Sequence, residues 1–175
     1  MSKTITLTLS PAGIDQAIAE YKTWRQDFEA KCKEFLQALA EEGVQIASAN
    51  FSAAVYDGTN DVTVEMQQKG DSTVAVVAIG NATLFIEFGS GILYPDTHPE
   101  AGSLGMIRGE YGYGLGGNVW GWTYRGDPGT NGQVISQGWQ RGKIHTFGNP
   151  ANMCMYRTKE ELENRFAAIA RRIFT

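Results

Sequence analysis

Ser10-Pro11-Ala12-Gly13-Ile14-Asp15-Gln16-Ala17-Ile18-Ala19-Glu20-Tyr21 opens the stretch that decides the fold, which runs on through Trp24, Phe28, Cys32, Phe35 and Leu39 to Glu42-Gly43. Ser10 is a helix-capping residue type, because its hydroxyl can accept from a backbone N–H that has no intrahelical partner. Pro11 suits the first helical position, where its missing N–H is not needed. Ile14, Ile18, Tyr21, Phe28, Cys32, Phe35 and Leu39 recur at steps that keep them on one helical face, with Trp24 filling the gap between Tyr21 and Phe28. The spacing predicts a long amphipathic helix to about Glu42. Gly43 is expected to break or kink it, with Val44 to Phe51 a shorter continuation.

Upstream, Thr4-Ile5-Thr6-Leu7-Thr8-Leu9 alternates polar and apolar residues and is rich in β-branched ones, the pattern of a strand with one buried face. Downstream, Val62, Val64 and Met66 alternate with Thr63 and Glu65. Gly70-Asp71 marks a turn, Thr73 to Ile79 runs back, Gly80-Asn81 turns again, and Leu84 to Phe88 makes a third strand-like run before Gly89-Ser90-Gly91. Connections this short favour an antiparallel meander. After Pro150-Ala151, Leu162, Phe166, Ile169, Ala170 and Ile173 form one helical face. Glu160, Glu161 and Glu163 near its start and Arg171-Arg172 near its end suit the helix dipole. The expected fold is α+β, in one domain spanning residues 1–175. A long N-terminal helix and a C-terminal helix pack together on a small antiparallel sheet.

Between Gly102 and Gly148 the chain changes character. Fourteen of the 21 glycines lie there, with Tyr111, Tyr113, Trp120, Trp122, Tyr124, Trp139 and Phe147. A disordered linker is poor in aromatics, and a core segment holds far less glycine. The segment is therefore expected to be an ordered, loop-rich insertion over 102–148, whose aromatics pack locally or against another subunit. Tyr111, Tyr113, Trp120, Trp122, Tyr124 and Trp139 are the candidate subunit or partner interface, since Tyr and Trp anchor interfaces.

Composition narrows the function. The formal charge is −4, and the densest basic stretch, Arg165 to Arg172, lies on an amphipathic helix. There is no basic stripe of the kind that backbone binding to nucleic acid requires. No apolar run is long enough to cross a membrane, and the N-terminus alternates instead of forming an apolar signal core, so an intracellular site of synthesis is expected. Cys32 falls on the apolar helical face, and the two widely separated cysteines, Cys32 and Cys154, form no disulfide framework and no metal-ligand spacing.

Catalytic groups are sparse. His98 sits in Tyr94-Pro95-Asp96-Thr97-His98-Pro99-Glu100, where Asp96, His98 and Glu100 alternate and could share one side of an extended segment. With His145 they make a candidate mixed oxygen and nitrogen metal site for a metal-dependent hydrolase; a solvated polar turn is the simpler account. Ser90 lacks the flanks of a nucleophile elbow. Gly112-Tyr113-Gly114-Leu115-Gly116-Gly117 satisfies a dinucleotide-binding pattern but has neither the preceding strand nor the following helix which that chemistry needs. Arg125-Gly126-Asp127 spells an adhesion tripeptide, as chance allows. No catalytic residue, cofactor site or metal site is assigned. A carbohydrate or cell-wall binding module, stacking sugars on Trp120, Trp122, Tyr124 and Trp139, is the main alternative function.

One set of features points further. Phe85-Ile86-Glu87-Phe88-Gly89-Ser90-Gly91 resembles a (V/I)-E-(F/Y)-G-(T/S)-G segment, and Phe147-Gly148-Asn149-Pro150-Ala151-Asn152-Met153-Cys154-Met155-Tyr156 resembles a G-x-P-A-x-x-(F/M)-(L/M)-Y approach to a C-terminal helix. Both belong to the minor tail-component, or tail-completion and head–tail joining, family of long-tailed bacteriophages. The order of elements over residues 11–175 fits as well. The resemblance implies a structural, non-enzymatic protein of a phage or prophage virion. It would form a homo-oligomeric ring at the neck between head and tail, beside other neck and tail proteins. The chain departs from the pattern by its Gly/aromatic insertion, Gly102 to Thr146.

Overall fold

A computed structural model of the chain describes residues 3–91, 97–106 and 120–175. Helix α1 (Pro11–Ser52) is 42 residues long, a rod of about 63 Å at 1.5 Å per residue. It is capped as its sequence requires, with Gly13 N–H donating to Ser10 Oγ at 3.1 Å. Strands β1 (Thr63–Gly70) and β2 (Thr73–Ile79) form an antiparallel hairpin in which Val64 faces Ala78 and Met66 faces Val76. Helix α3 (Cys154–Phe174) lies along the C-terminal half of α1, and α1 packs on the hairpin. The core centres on Phe51, Ala82, Ile86 and Cys154, with Val62, Val64, Ala78 and Met155 packed around them. The α+β expectation, with two long helices on a small antiparallel sheet, holds.

Four local expectations do not. Thr4 to Leu9 is not a strand: Leu9 is 90% exposed and no ladder forms over the described residues of the segment. Alternation stabilises a strand only where a neighbouring strand accepts it, and the rod of α1 begins immediately after. Gly43 neither breaks nor kinks α1. It is buried, and a Cβ there would come within 2.9 Å of Val76 Cγ2 and 3.1 Å of Leu162 Cδ1. The glycine lets the hairpin and α3 approach the helix, and that packing outweighs a helix-propensity loss of about 1 kcal/mol.

The third expected strand, Leu84 to Phe88, is instead a short helix, α2 (Thr83–Phe88). Asp61 decides this from a distance. Its carboxylate accepts from the backbone N–H groups of Asn81 and Ala82, both at 2.9 Å, while Thr83 Oγ1 donates to Gly80 O at 2.8 Å. Those N–H groups hold the Asp61 carboxyl below the usual carboxylate range, Ala82 contributing most. Lastly, the acidic residues expected at the start of the C-terminal helix lie beyond its first turn, because α3 begins at Cys154.

Further ladders join the rest of the chain. Strand β3 (Ser90–Gly91) pairs with β7 (Gly148–Asn149). Strands β4 (Trp122–Tyr124), β5 (Gln133–Val134) and β6 (Ile144–Thr146) form a small antiparallel sheet with β6 in the middle. The insertion therefore carries a sheet of its own.

Candidate partner interface

The insertion is tied to the body at one corner. Asp57, just past the end of α1, accepts from Asn131 N–H at 2.8 Å and from Thr146 Oγ1 at 2.6 Å. Thr130 N–H donates to Tyr56 O at 2.9 Å, and Thr130 Oγ1 accepts from Tyr56 N–H at 3.2 Å. Gly129 sits so close to the Tyr56 carbonyl that a side chain would overlap it, and at φ +60° glycine also removes the strain. Packing raises the pKa values of Tyr56 and Tyr124, burial being the largest cause and the charge of Asp61 and Asp57 respectively the next.

The six candidate interface aromatics divide on this frame. Trp122 and Tyr124 are half-buried in β4, opposite Thr146 and Ile144, and Tyr124 Oη donates to Asp127 O at 2.8 Å; both belong to the sheet. Trp120 and Trp139 project, 76% and 86% exposed. Lys143 Nζ lies 4.9 Å from the centre of the Trp139 ring. Tyr111 and Tyr113 lie outside the described residues, as does the Gly112–Gly117 motif.

The insertion rejoins the body where the two motifs of the family resemblance meet. Gly89, Gly91 and Gly148 have φ of +81°, +89° and +100°. A Cβ on Gly89 would stand 2.7 Å from Ala151 N, and one on Gly148 would collide with the Ser90 carbonyl. Asn149, buried to 1% exposure, accepts from Ser90 Oγ and donates through Nδ2 to Phe85 O at 2.9 Å. Asn152 clamps the exit of α1, accepting from Val55 N–H at 2.8 Å and donating to Val55 O at 2.9 Å. Asn152 N–H and Met153 N–H donate to the carbonyls of Ile86 and Glu87, after which Met153, at φ +55°, turns the chain into α3.

At the centre is a buried pair that sequence reasoning missed. Glu87 Oε2 accepts from Met155 N–H at 2.7 Å, and Oε1 accepts from Tyr156 N–H at 3.0 Å. No side chain of α3's own caps its N-terminus, so Glu87 does so from α2 and puts negative charge at the positive end of the dipole. The Nε2 of His98 lies 3.1 Å from Glu87 Oε1, and its Nδ1 accepts from Glu100 N–H at 3.0 Å. An accepting Nδ1 carries no proton, so the imidazole is neutral and Nε2–H donates to Glu87. Phe88 and Tyr156 enclose the ring. The far end of α3 is also capped from outside, by Lys31 Nζ on Ile173 O at 2.8 Å.

The three described members of the candidate metal set, His98, Glu100 and His145, have other partners. Both nitrogens of His98 are engaged, Glu100 pairs with Lys159 at 3.1 Å, and His145 Nε2 donates to Trp120 O at 2.7 Å. Asp96 lies outside the described residues. Among the described residues no group of three His, Cys, Asp or Glu side chains is placed to hold a metal. Burial, then the charge of Glu87, pushes the Cys154 thiol up to about 12, which disfavours the thiolate. No family model, curated protein or solved structure matches this chain.

Proposed function

We propose that this chain is a non-enzymatic structural subunit of the neck or tail of a long-tailed bacteriophage, acting as a tail-completion component within a homo-oligomeric ring at the head–tail joint. The observation that carries the reading is the meeting of its two family-like motifs. Glu87 to Gly91 and Gly148 to Tyr156, about 60 residues apart in sequence, form one interlocked unit through the β3–β7 ladder, Asn149 and the Glu87 cap. The glycines of both motifs and the carboxylate of the first take part in that unit, which supports reading the two as one fold element. The insertion, pinned at Asp57 and presenting Trp120 and Trp139, is the surface offered to neighbouring virion proteins.

The test is removal of the gene from a phage or prophage that carries it, followed by electron microscopy of the lysate. Filled heads and detached tails are expected, and infectious tailed particles without the protein would refute the reading. The exposure of Trp120 and Trp139 favours one competing account, a carbohydrate-binding module. A glycan that shifts tryptophan fluorescence, with the shift lost in Trp139→Ser, would replace the neck reading with that one.

A further inference from the structure

Helix α1 is much longer than the body it supports. Its seam residues, Ile14, Ile18, Tyr21, Arg25, Phe28, Cys32, Phe35 and Leu39, stand alternately four and three apart, the repeat of a helix meant to pair along its length. From Phe28 onward the partner is α3. Phe35 meets Phe166 edge-on at 5.0 Å and Phe174 at 5.7 Å, while Phe28 meets Phe174 at 5.9 Å. There α3 ends, and the seam runs on. Ile18 and Tyr21 are 47% and 51% exposed, and Ile14 and Leu7 are exposed beside them.

We infer that this overhanging arm, Pro11 to Phe28, pairs with the same arm of a second copy, antiparallel and about a two-fold axis passing between residues 19 and 20. In that register Ile18 of one copy packs against Tyr21 of the other, and Ile14 packs against the aliphatic stem of Arg25. Asp15 and Lys22 occupy the same flank of the seam in successive heptads. The antiparallel overlap brings Asp15 of each copy beside Lys22 of the other, with Arg25 close by. A parallel overlap would instead set Arg25 against Arg25 in the seam. Charge thus selects the direction as well as the partner.

The area is adequate for a weak, specific pair. Side chains of this size carry roughly 150–200 Å² each, so Leu7, Ile14, Ile18, Tyr21 and Phe28 at about half exposure offer on the order of 450 Å² per copy. With the stems of Lys22 and Arg25, two copies reach the roughly 1,000 Å² at which specific interfaces begin. An isologous pair closes at two copies. It is therefore a different contact from the heterologous ones of a ring, and it does not rest on the neck assignment.

Sedimentation of the full chain across micromolar to hundred-micromolar concentration tests it. A shift from 19.1 kDa to twice that mass is expected, and Ile18→Glu should abolish it while leaving helix content and thermal midpoint unchanged. Asp15→Lys and Lys22→Glu alone should each weaken association about tenfold, since two symmetric pairs turn from attractive to repulsive. Together they should restore it to within about threefold. A single 19.1 kDa species at every concentration, an oligomer indifferent to Ile18→Glu, or a double swap that fails to restore pairing would overturn the inference. Each of those results leaves the gene-removal test of the neck reading untouched.

Discussion

Replacing Glu87 by glutamine changes almost nothing in shape and should nevertheless be among the most damaging substitutions in the body. The carboxylate accepts from His98 Nε2–H, Met155 N–H and Tyr156 N–H, and it is buried. Glutamine keeps one acceptor oxygen. If that oxygen serves His98 and Tyr156, the new NH₂ group faces Met155 N–H, donor against donor. If the amide flips, it faces His98 and Tyr156 instead. His98 cannot yield by switching tautomer, because its Nδ1 already accepts from Glu100 N–H.

The loss has two parts. Three charge-assisted bonds become neutral or vanish, at about 1 kcal/mol each, and a buried N–H left facing another donor costs roughly 1–3 kcal/mol. The sum is about 4–6 kcal/mol, or a thermal midpoint lower by roughly 8–24 °C at 2–4 °C per kcal/mol for a chain of this length. Urea unfolding followed by far-UV circular dichroism measures it. Glu100→Gln is the control: it removes a pair with Lys159 whose side chains are 43% and 58% exposed, and its urea midpoint should stay close to that of the parent. A Glu87→Gln cost below about 1 kcal/mol, with an unchanged denaturant slope, would show that Glu87 does not cap α3. Within a His98→Leu background the same substitution should cost about 1 kcal/mol less, because one of its three donors is gone.

Other substitutions probe the neighbouring parts. Gly148→Ala requires φ +100° of an L-residue and drives a Cβ into Ser90; destabilisation beyond about 2 kcal/mol is expected in urea, and a neutral result would deny that β3 and β7 pair so closely. Gly43→Val should cost about 1–3 kcal/mol through overpacking against Val76 and Leu162, whereas a stabilised variant would show that the helix, hairpin and α3 do not meet there. Cys154 should resist iodoacetamide at pH 8 in the native protein and react in urea, as read by peptide mapping; equal rates would contradict its burial. The sign of the linkage also follows. The folded thiol keeps its proton to about 12, against an ordinary value of 9.0, so its contribution to stability is present below pH 9 and lost as pH rises from there toward 12. Cys154→Ala should remove that share of the alkaline loss.

The long helices and the hairpin were legible because their signals are local. Ser10-Pro11 caps its own helix, the apolar steps of α1 and α3 recur over many turns, and the alternation of β1 and β2 is matched by a partner two residues away across a turn. What misled lay in partners remote in sequence. Leu84 to Phe88 is too short and too uniformly apolar for its period to separate strand from helix, and the carboxylate that settles the matter is on Asp61. Glu87 reads as part of a motif, and nothing near it tells that its donors are Met155 and Tyr156. Of the six aromatics singled out in the insertion, composition could not separate Trp120 and Trp139, which project, from Trp122 and Tyr124, which a ladder to Thr146 and Ile144 half-buries.

The two outside caps on α3 have a consequence for the arm. Glu87 fixes its first turn and Lys31 its last carbonyls, so α3 cannot slide along α1 by one heptad without uncovering both ends at once. Aromatic packing alone is a weaker constraint, since Phe28 and Phe35 are one heptad apart and a slip would exchange one ring contact for another. The caps remove that degeneracy, because Glu87 is held in turn by the buried ladder around Asn149. The point where α3 stops supporting α1 is thereby set by charge. The arm beyond it runs from Pro11 to Phe28, about 27 Å at 1.5 Å per residue, and its apolar seam extends past the last side chain α3 can offer. Weakening the Lys31 cap should therefore loosen the end of α3 first, and lengthen the exposed arm before the body unfolds.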